Sequence, residues 1–114
     1  KTGTGFLVKK MKSNLNQHTR KRLTESGYHV ELVDTYNAFI RQKKDLFGFG
    51  DFLAIKKDEV LLVQVTSRSN MSSRRKKIAE SPLVGLVRDA NIRIELWGFY
   101  KEKNRWKVKV EDLS

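Results

Sequence analysis

The period of the apolar positions changes along the chain, and each change marks an element. Over 28–36, "YHVELVDTY" alternates apolar and polar residues, which predicts a strand with one face buried. "FGDFLAIKK", 49–57, predicts a second strand, and "VLLVQVTS", 60–67, a third. The third is almost continuously apolar, as expected of a central strand covered on both faces. Asp58 and Glu59 make a tight turn between these two, so they form a hairpin. Alternation returns in "IRIELWGFYKE" and "RWKVKVEDL", a second hairpin joined through "KEKN".

The helical signals lie between the strands. Ser13 or Asn14 can cap a helix that runs to about Ser26, with Gly27 as its stop. Its apolar face is thin: Leu15, Leu23 and Thr19. Ser69, Asn70 and Ser72 are capping residues for a helix over about 71–80, and Pro82 either interrupts it or starts the next short helix, "PLVGLVRDA". "NAFIRQKKDLFG", 37–48, reads as a basic connector, and the Gly-, Thr- and Lys-rich residues 1–12 as a basic arm. The expected order is α-β-β-β-α-β-β. It predicts one α/β domain over 1–114, a mixed central sheet flanked by helices.

Charge narrows the partners. Lys and Arg number 24 against 13 Asp and Glu, for a net charge of +11 and a pI near 10.1. Such a field attracts polyanions, nucleic acid first. An anionic membrane surface, an acidic protein and simple solubility are the alternatives. The absence of cysteine excludes disulfides, thiolate metal sites and cysteine nucleophiles. No apolar run approaches the ~20 residues of a membrane span, and "GFLV" is too short for the apolar core of a signal peptide.

Two polar residues interrupt the apolar strands: Asp51 and Gln64. A turn at 58–59 sets Gln64 opposite about residue 53, and a small register shift makes Asp51 and Gln64 diagonal neighbours on one face. A carboxylate and an amide oxygen so placed suit a hard cation, Mg²⁺ or Mn²⁺, which would polarise a phosphate and activate water. Thr66 shares that face by strand periodicity. A purely structural pair, the Asp serving a bulge and the Gln satisfied by backbone, is the competing account.

"GFGDFLAIKKDEVLLVQVTS" resembles the core of the PD-(D/E)XK nuclease superfamily, in which a hairpin carries an Asp and a (D/E)-x-K motif between helices. With "RQKKDLFGFGDFLAI", "QVTSRSNMSSRRKKI" and "IELWGFYKEKNRW" in order, the chain looks closest to small archaeal Holliday junction resolvases and phage endonuclease-like proteins. The resemblance implies a restriction-endonuclease-like fold. It also implies Mg²⁺- or Mn²⁺-dependent hydrolysis of DNA, branched or structured DNA among the substrates, with RNA left open. A homodimer and a cytoplasmic location in a bacterial, archaeal or phage-infected cell follow from the same resemblance. Asp51 matches the metal-binding Asp, Gln64 stands at the acidic position and Thr66 at the catalytic Lys. Asp45, near the hairpin entry, is the candidate second carboxylate. Gln17 stands at roughly the spacing of the resolvases' first-helix Glu. Arg68, Arg74 or Lys77 are candidates to replace the missing Lys. A catalytically degenerate nucleic-acid-binding module on the same fold is the alternative.

The expected grip on nucleic acid is Arg41, Lys44, Arg68, Arg74, Arg75, Lys76 and Lys77, centred on "SSRRKKI". Trp97, Phe99, Tyr100 and Trp106 cluster on the last hairpin. Core packing is the expected role, and base stacking by Trp106 or Tyr100 the alternative. The Phe47/Phe49 loop and residues 82–87 are the candidate dimer faces. His18 and His29 show no metal spacing.

Overall fold

In the computed structural model, the backbone is described for residues 2–37 and 42–114, and side chains for 14–34 and 44–114. Helix α1 spans Thr2–Glu25. The strands are β1 (His29–Leu32), β2 (Thr35–Asn37), β3 (Gln42–Lys44), β4 (Phe52–Lys56) and β5 (Glu59–Ser67). A 3-10 turn, Arg68–Asn70, leads into α2 (Met71–Ala79) and then α3 (Val84–Asp89). Strands β6 (Ile92–Glu102) and β7 (Arg105–Asp112) complete the chain.

Five strands form one sheet in the order β1-β4-β5-β6-β7, and β2 pairs with β3 apart from it. Only β5–β6 is parallel; the other neighbours in the large sheet run antiparallel. The result is a single α/β domain with a mixed sheet, and β5 lies at its centre as its apolar run requires. Alternate residues of β5 serve two cores. Leu61, Val63 and Val65 pack with Leu15 and Leu23 of α1, and with Phe52, Ala54, Trp97 and Phe99. Leu62 faces the other way, with Met71 and Ile78 of α2, Val84 and Val87 of α3, and Ile94 and Leu96 of β6. The aromatic hairpin residues Trp97 and Phe99 are therefore core, and Trp106 packs against them.

Several expectations change. The stretch 1–12, expected as an arm, belongs to α1 from Thr2 onward. Leu7, Met11, Leu15, Thr19 and Leu23 recur every four residues, a helical period that outweighs Gly3 and Gly5. The cap expected at Ser13 or Asn14 is thus helix interior. The stop holds: Gly27 has φ +95°, and the Tyr28 and Gly27 N–H groups donate to Leu23 and Thr24 carbonyls, a Schellman closure. The strand expected over 28–36 breaks at Val33–Asp34 into β1 and β2, and the connector contains β3. Asn70 is the N-cap of α2, but its side chain makes no capping hydrogen bond. The second hairpin turns on Lys103 and Asn104, whose φ values of +51° and +61° match the two-residue type I′ connection.

Candidate metal centre and its surroundings

Strands β4 and β5 pair Phe52 with Val63 and Lys56 with Glu59. The turn is therefore Lys57–Asp58, one residue earlier than expected, with Asp58 at φ +63°. This moves the register by two and brings the Asp51 and Gln64 side chains into direct contact. The Gln64 amide Nε2 donates to Asp51 Oδ2 at 2.8 Å, and the Val65 backbone N–H donates to the same oxygen at 2.8 Å. Both residues are buried, at 1% and 2% exposure.

The main chain fixes Asp51 from both sides. Its N–H donates to the Val63 carbonyl, and its carbonyl accepts from the Val33 N–H, each at 2.8 Å. The latter bond extends the β1–β4 ladder past Leu32 and brings the next residue, Asp34, to the same place. Asp45 arrives by a third route. Residues 45–50 wind into a compact loop closed by Leu46 and Gly50, whose backbones pair. Phe47 and Gly48 take φ of +58° and +88° at its tip. The loop thus starts and ends beside one point, with Asp45 before it and Asp51 after it. Gly50 has a packing reason: a Cβ there would lie 2.3 Å from Leu62 Cδ1.

Asp34, Asp45 and Asp51 each offer a carboxylate oxygen within 4.8 Å of the other two. Gln64 Oε1 is buried and has no hydrogen-bond partner among the described residues. Three carboxylates with an orphaned amide oxygen beside them form an all-oxygen donor set, which fits a hard divalent cation. Lys77 of α2 reaches Asp45 Oδ2 at 3.1 Å. Asp45 also lines a cleft of about 470 Å³ whose walls include Val33, Lys44, Phe47 and Leu83.

Of the expected site residues, Asp51, Gln64 and Asp45 are brought together. Thr66 lies farther along β5, on the face of Gln64, and is buried. Among the candidate substitutes for the missing lysine, Lys77 reaches the acids. Arg68 stacks instead on Tyr100, its Cζ 4.0 Å from the ring centroid. Asp34 escaped the sequence reading. Its signal was the phase slip at Leu32–Val33, where the alternation fails just ahead of the carboxylate.

The four cations of α2 do not form one gripping face. Arg75 turns to β7 and is held in a bidentate pair by Glu111 at 2.7 Å, whereas Lys77 turns to Asp45. Each partner shifts the other: Arg75's hydrogen bond holds the Glu111 carboxyl below its ordinary value, and Glu111 raises Arg75. Arg74 is half-buried, while Lys44, Lys76 and Arg68 are exposed. Arg41 lies outside the described residues. Of the expected dimer faces, Phe49 is fully buried, whereas Phe47, Leu83 and Leu86 are exposed.

At the opposite end of the sheet, the Tyr28 hydroxyl donates to Glu59. Arg93 bridges Glu59 and Glu95 at 2.6 and 3.0 Å, and Trp97 Nε1 donates to Glu95 at 2.9 Å. Burial, followed by the bond to Glu59, pushes the Tyr28 hydroxyl up to about 12. These groups satisfy one another and lie away from the acids.

No family model, curated protein or solved structure matches the chain. Among the described residues, no helix is long and apolar enough to cross a membrane.

Proposed function

We propose that the chain is a metal-dependent nuclease of the PD-(D/E)XK type, acting on DNA. The observation that carries this reading is the convergence of Asp34, Asp45 and Asp51 beside the buried Gln64 amide, with Lys77 at the rim. The net charge of +11 supplies the attraction for a polyanion. The order of helix, antiparallel hairpin, helix and parallel return strand supports the same reading. Asp34, Asp45 and Asp51 would hold Mg²⁺ or Mn²⁺, with Gln64 Oε1 available beside them. A cation there supplies a polarised phosphate and a water of lowered pKa. Lys77 fills the role left vacant by Thr66: its ammonium orients water and offsets charge gathering on the phosphate oxygens. Thr66 offers a hydroxyl but no charge.

The test is cleavage of duplex, single-stranded, flapped and four-way-junction DNA in Mg²⁺ or Mn²⁺, wild type beside Asp51→Ala. Metal-dependent cleavage lost in the variant supports the reading. Equal cleavage by both proteins refutes it. Salt-sensitive binding without cleavage in either metal would favour a nucleic-acid-binding module that keeps the fold and lacks the chemistry.

A further inference from the structure

The open end of β5 carries a second feature, separate from the acids. The ladder with β6 ends at the pair Ser67–Phe99, and Tyr100 follows one residue beyond. Arg68, the first residue of the 3-10 turn, lays its guanidinium over the Tyr100 ring at 4.0 Å. No carboxylate among the described residues is within ion-pairing distance of Arg68, unlike Arg75 and Arg93. The ring thus holds a planar cation in place, and Arg68 remains exposed to solvent. The hydroxyls of Ser67 and Ser69, 3.1 Å apart, stand at its edge. Together with Phe99 they line a hollow of about 320 Å³, a volume at the small end of ligand sites.

The surroundings are cationic. Strand β7 pairs Lys107 with Tyr100 and Lys109 with Gly98, and paired residues share a face of the sheet. Both lysines are exposed; Lys107 pairs with Glu102 at 3.3 Å, while Lys109 has no ion pair among the described residues. Gly98 keeps the turn close: a Cβ there would lie 2.2 Å from Met71 Sδ and 3.1 Å from Arg68 Cα. The planar cation is therefore positioned by packing beneath it. Tyr100 stands two strands across from Asp51 and about four residues further along, roughly 15 Å away by sheet spacings.

A planar cation backed by a ring, with hydroxyls at its edge and lysines beside it, matches the chemistry of an unpaired nucleobase and its phosphate. Guanidinium planes and aromatic rings stack bases, and a base inside a duplex cannot reach such a plate. We infer that Arg68 and Tyr100 form a stacking shelf for an unpaired base of the bound DNA strand, which directs the protein to substrates with a single-stranded segment. This deepens the nuclease reading and rests on its choice of DNA as ligand.

The experiment is fluorescence anisotropy in EDTA, so that cleavage plays no part. It compares a labelled oligothymidine with a blunt duplex of equal length, at fixed salt. Arg68→Lys keeps the charge and removes the plane; Tyr100→Leu removes the ring; Tyr100→Phe keeps it. Arg68→Lys and Tyr100→Leu should weaken single-strand binding by roughly 5- to 150-fold, the value of one base stack. Duplex binding should change less than about 2-fold, within ordinary surface-charge effects, and Tyr100→Phe should bind as wild type. Because Arg68 is exposed, Arg68→Lys remains informative even where Tyr100→Leu perturbs folding. Equal losses on both DNAs, or no loss in Arg68→Lys, overturn the shelf and leave the nuclease reading standing. A wild type that binds neither DNA in EDTA at low salt overturns the shelf, whereas the nuclease reading answers to the metal-dependent cleavage test above.

Discussion

Replacing Asp51 by Asn separates a metal centre from a structural carboxylate. One oxygen from each of Asp34, Asp45 and Asp51 lies within 4.8 Å of the others. Two full charges at that distance repel by about 3.5 kcal/mol at an effective dielectric near 20, and Lys77 offsets part of this from 3.1 Å. The substituted amide would keep an oxygen for the Gln64 and Val65 donors, and would replace one charge by N–H groups. The ion-free Asp51→Asn variant should therefore melt at or above the wild type. Added metal should reverse the order. An ion at ten times its Kd stabilises the wild type by about 1.4 kcal/mol, which corresponds to about 6 °C for a domain of this size. The variant should gain little. Asp51→Ala is a poorer probe of stability, because it orphans two buried donors at about 1–3 kcal/mol each whether or not an ion binds. The assay is thermal unfolding of EDTA-stripped protein across a Mn²⁺ and Mg²⁺ titration. An Asn variant whose melting temperature climbs as steeply as the wild type's would refute the three acids as the metal site.

Lys77→Met should divide binding from chemistry. Removing the ammonium beside Asp45 should tighten Mn²⁺ binding, while cleavage falls by about 10²–10³, the usual cost of losing one charge-stabilising donor; looser Mn²⁺ binding in calorimetry would contradict that role. Gly50→Ala forces a Cβ to 2.3 Å from Leu62 Cδ1, so it should destabilise by about 1–3 kcal/mol, read as a lower urea midpoint. Stability should also fall at both pH extremes. Hydrogen bonds from Tyr28 and then Arg93 hold Glu59 below its ordinary value, and Arg75 does the same for Glu111. A depressed carboxyl contributes fully above its unfolded value near 4.3 and loses that contribution as pH drops through the folded one. Tyr28, raised to about 12, contributes fully below its unfolded value near 10 and loses this as pH climbs toward 12. Urea midpoints against pH should show both limbs, and Glu111→Gln should flatten the acid one.

The strands were legible because their burial is written into their period. The continuous apolar run of β5 needs cover on both faces, and it has α1 on one and α2 with α3 on the other. What misled was local. Asp58 accepts a positive φ, so the hairpin turns one residue early, and a register shift of two changed a diagonal Asp51–Gln64 pair into a hydrogen-bonded one. Asp45 and Asp51 could be suspected from the strand that follows them, since both flank its entry. Asp34 was marked only by the slip of the alternation at Leu32–Val33, and its place beside Asp51 depends on the Val33 N–H bonding to the Asp51 carbonyl. That bond lies outside any alternation rule. Nor could the division of "RRKK" be read from the sequence: helical spacing groups Arg74 with Lys77, but the partners that claim Arg75 and Lys77 come from Glu111 and Asp45, distant in sequence.

The placement of the acids bears on the function more than their number does. Elsewhere among the described residues, several carboxylates are matched to cations: Glu59 and Glu95 to Arg93, Glu111 to Arg75, Glu102 to Lys107. At one end of the sheet three carboxylates converge from three separate segments, with Lys77 against Asp45, in a chain of strongly positive charge. The long-range field draws a polyanion in, and the local cluster repels the phosphate that arrives. Screening over about 10 Å in ordinary salt lets the two act at different ranges. They serve the same ligand only when a cation stands between the carboxylates and the phosphate. Metal dependence and nucleic-acid binding therefore stand or fall together at this site, whereas the Arg68–Tyr100 shelf, which carries no carboxylate, can act without metal.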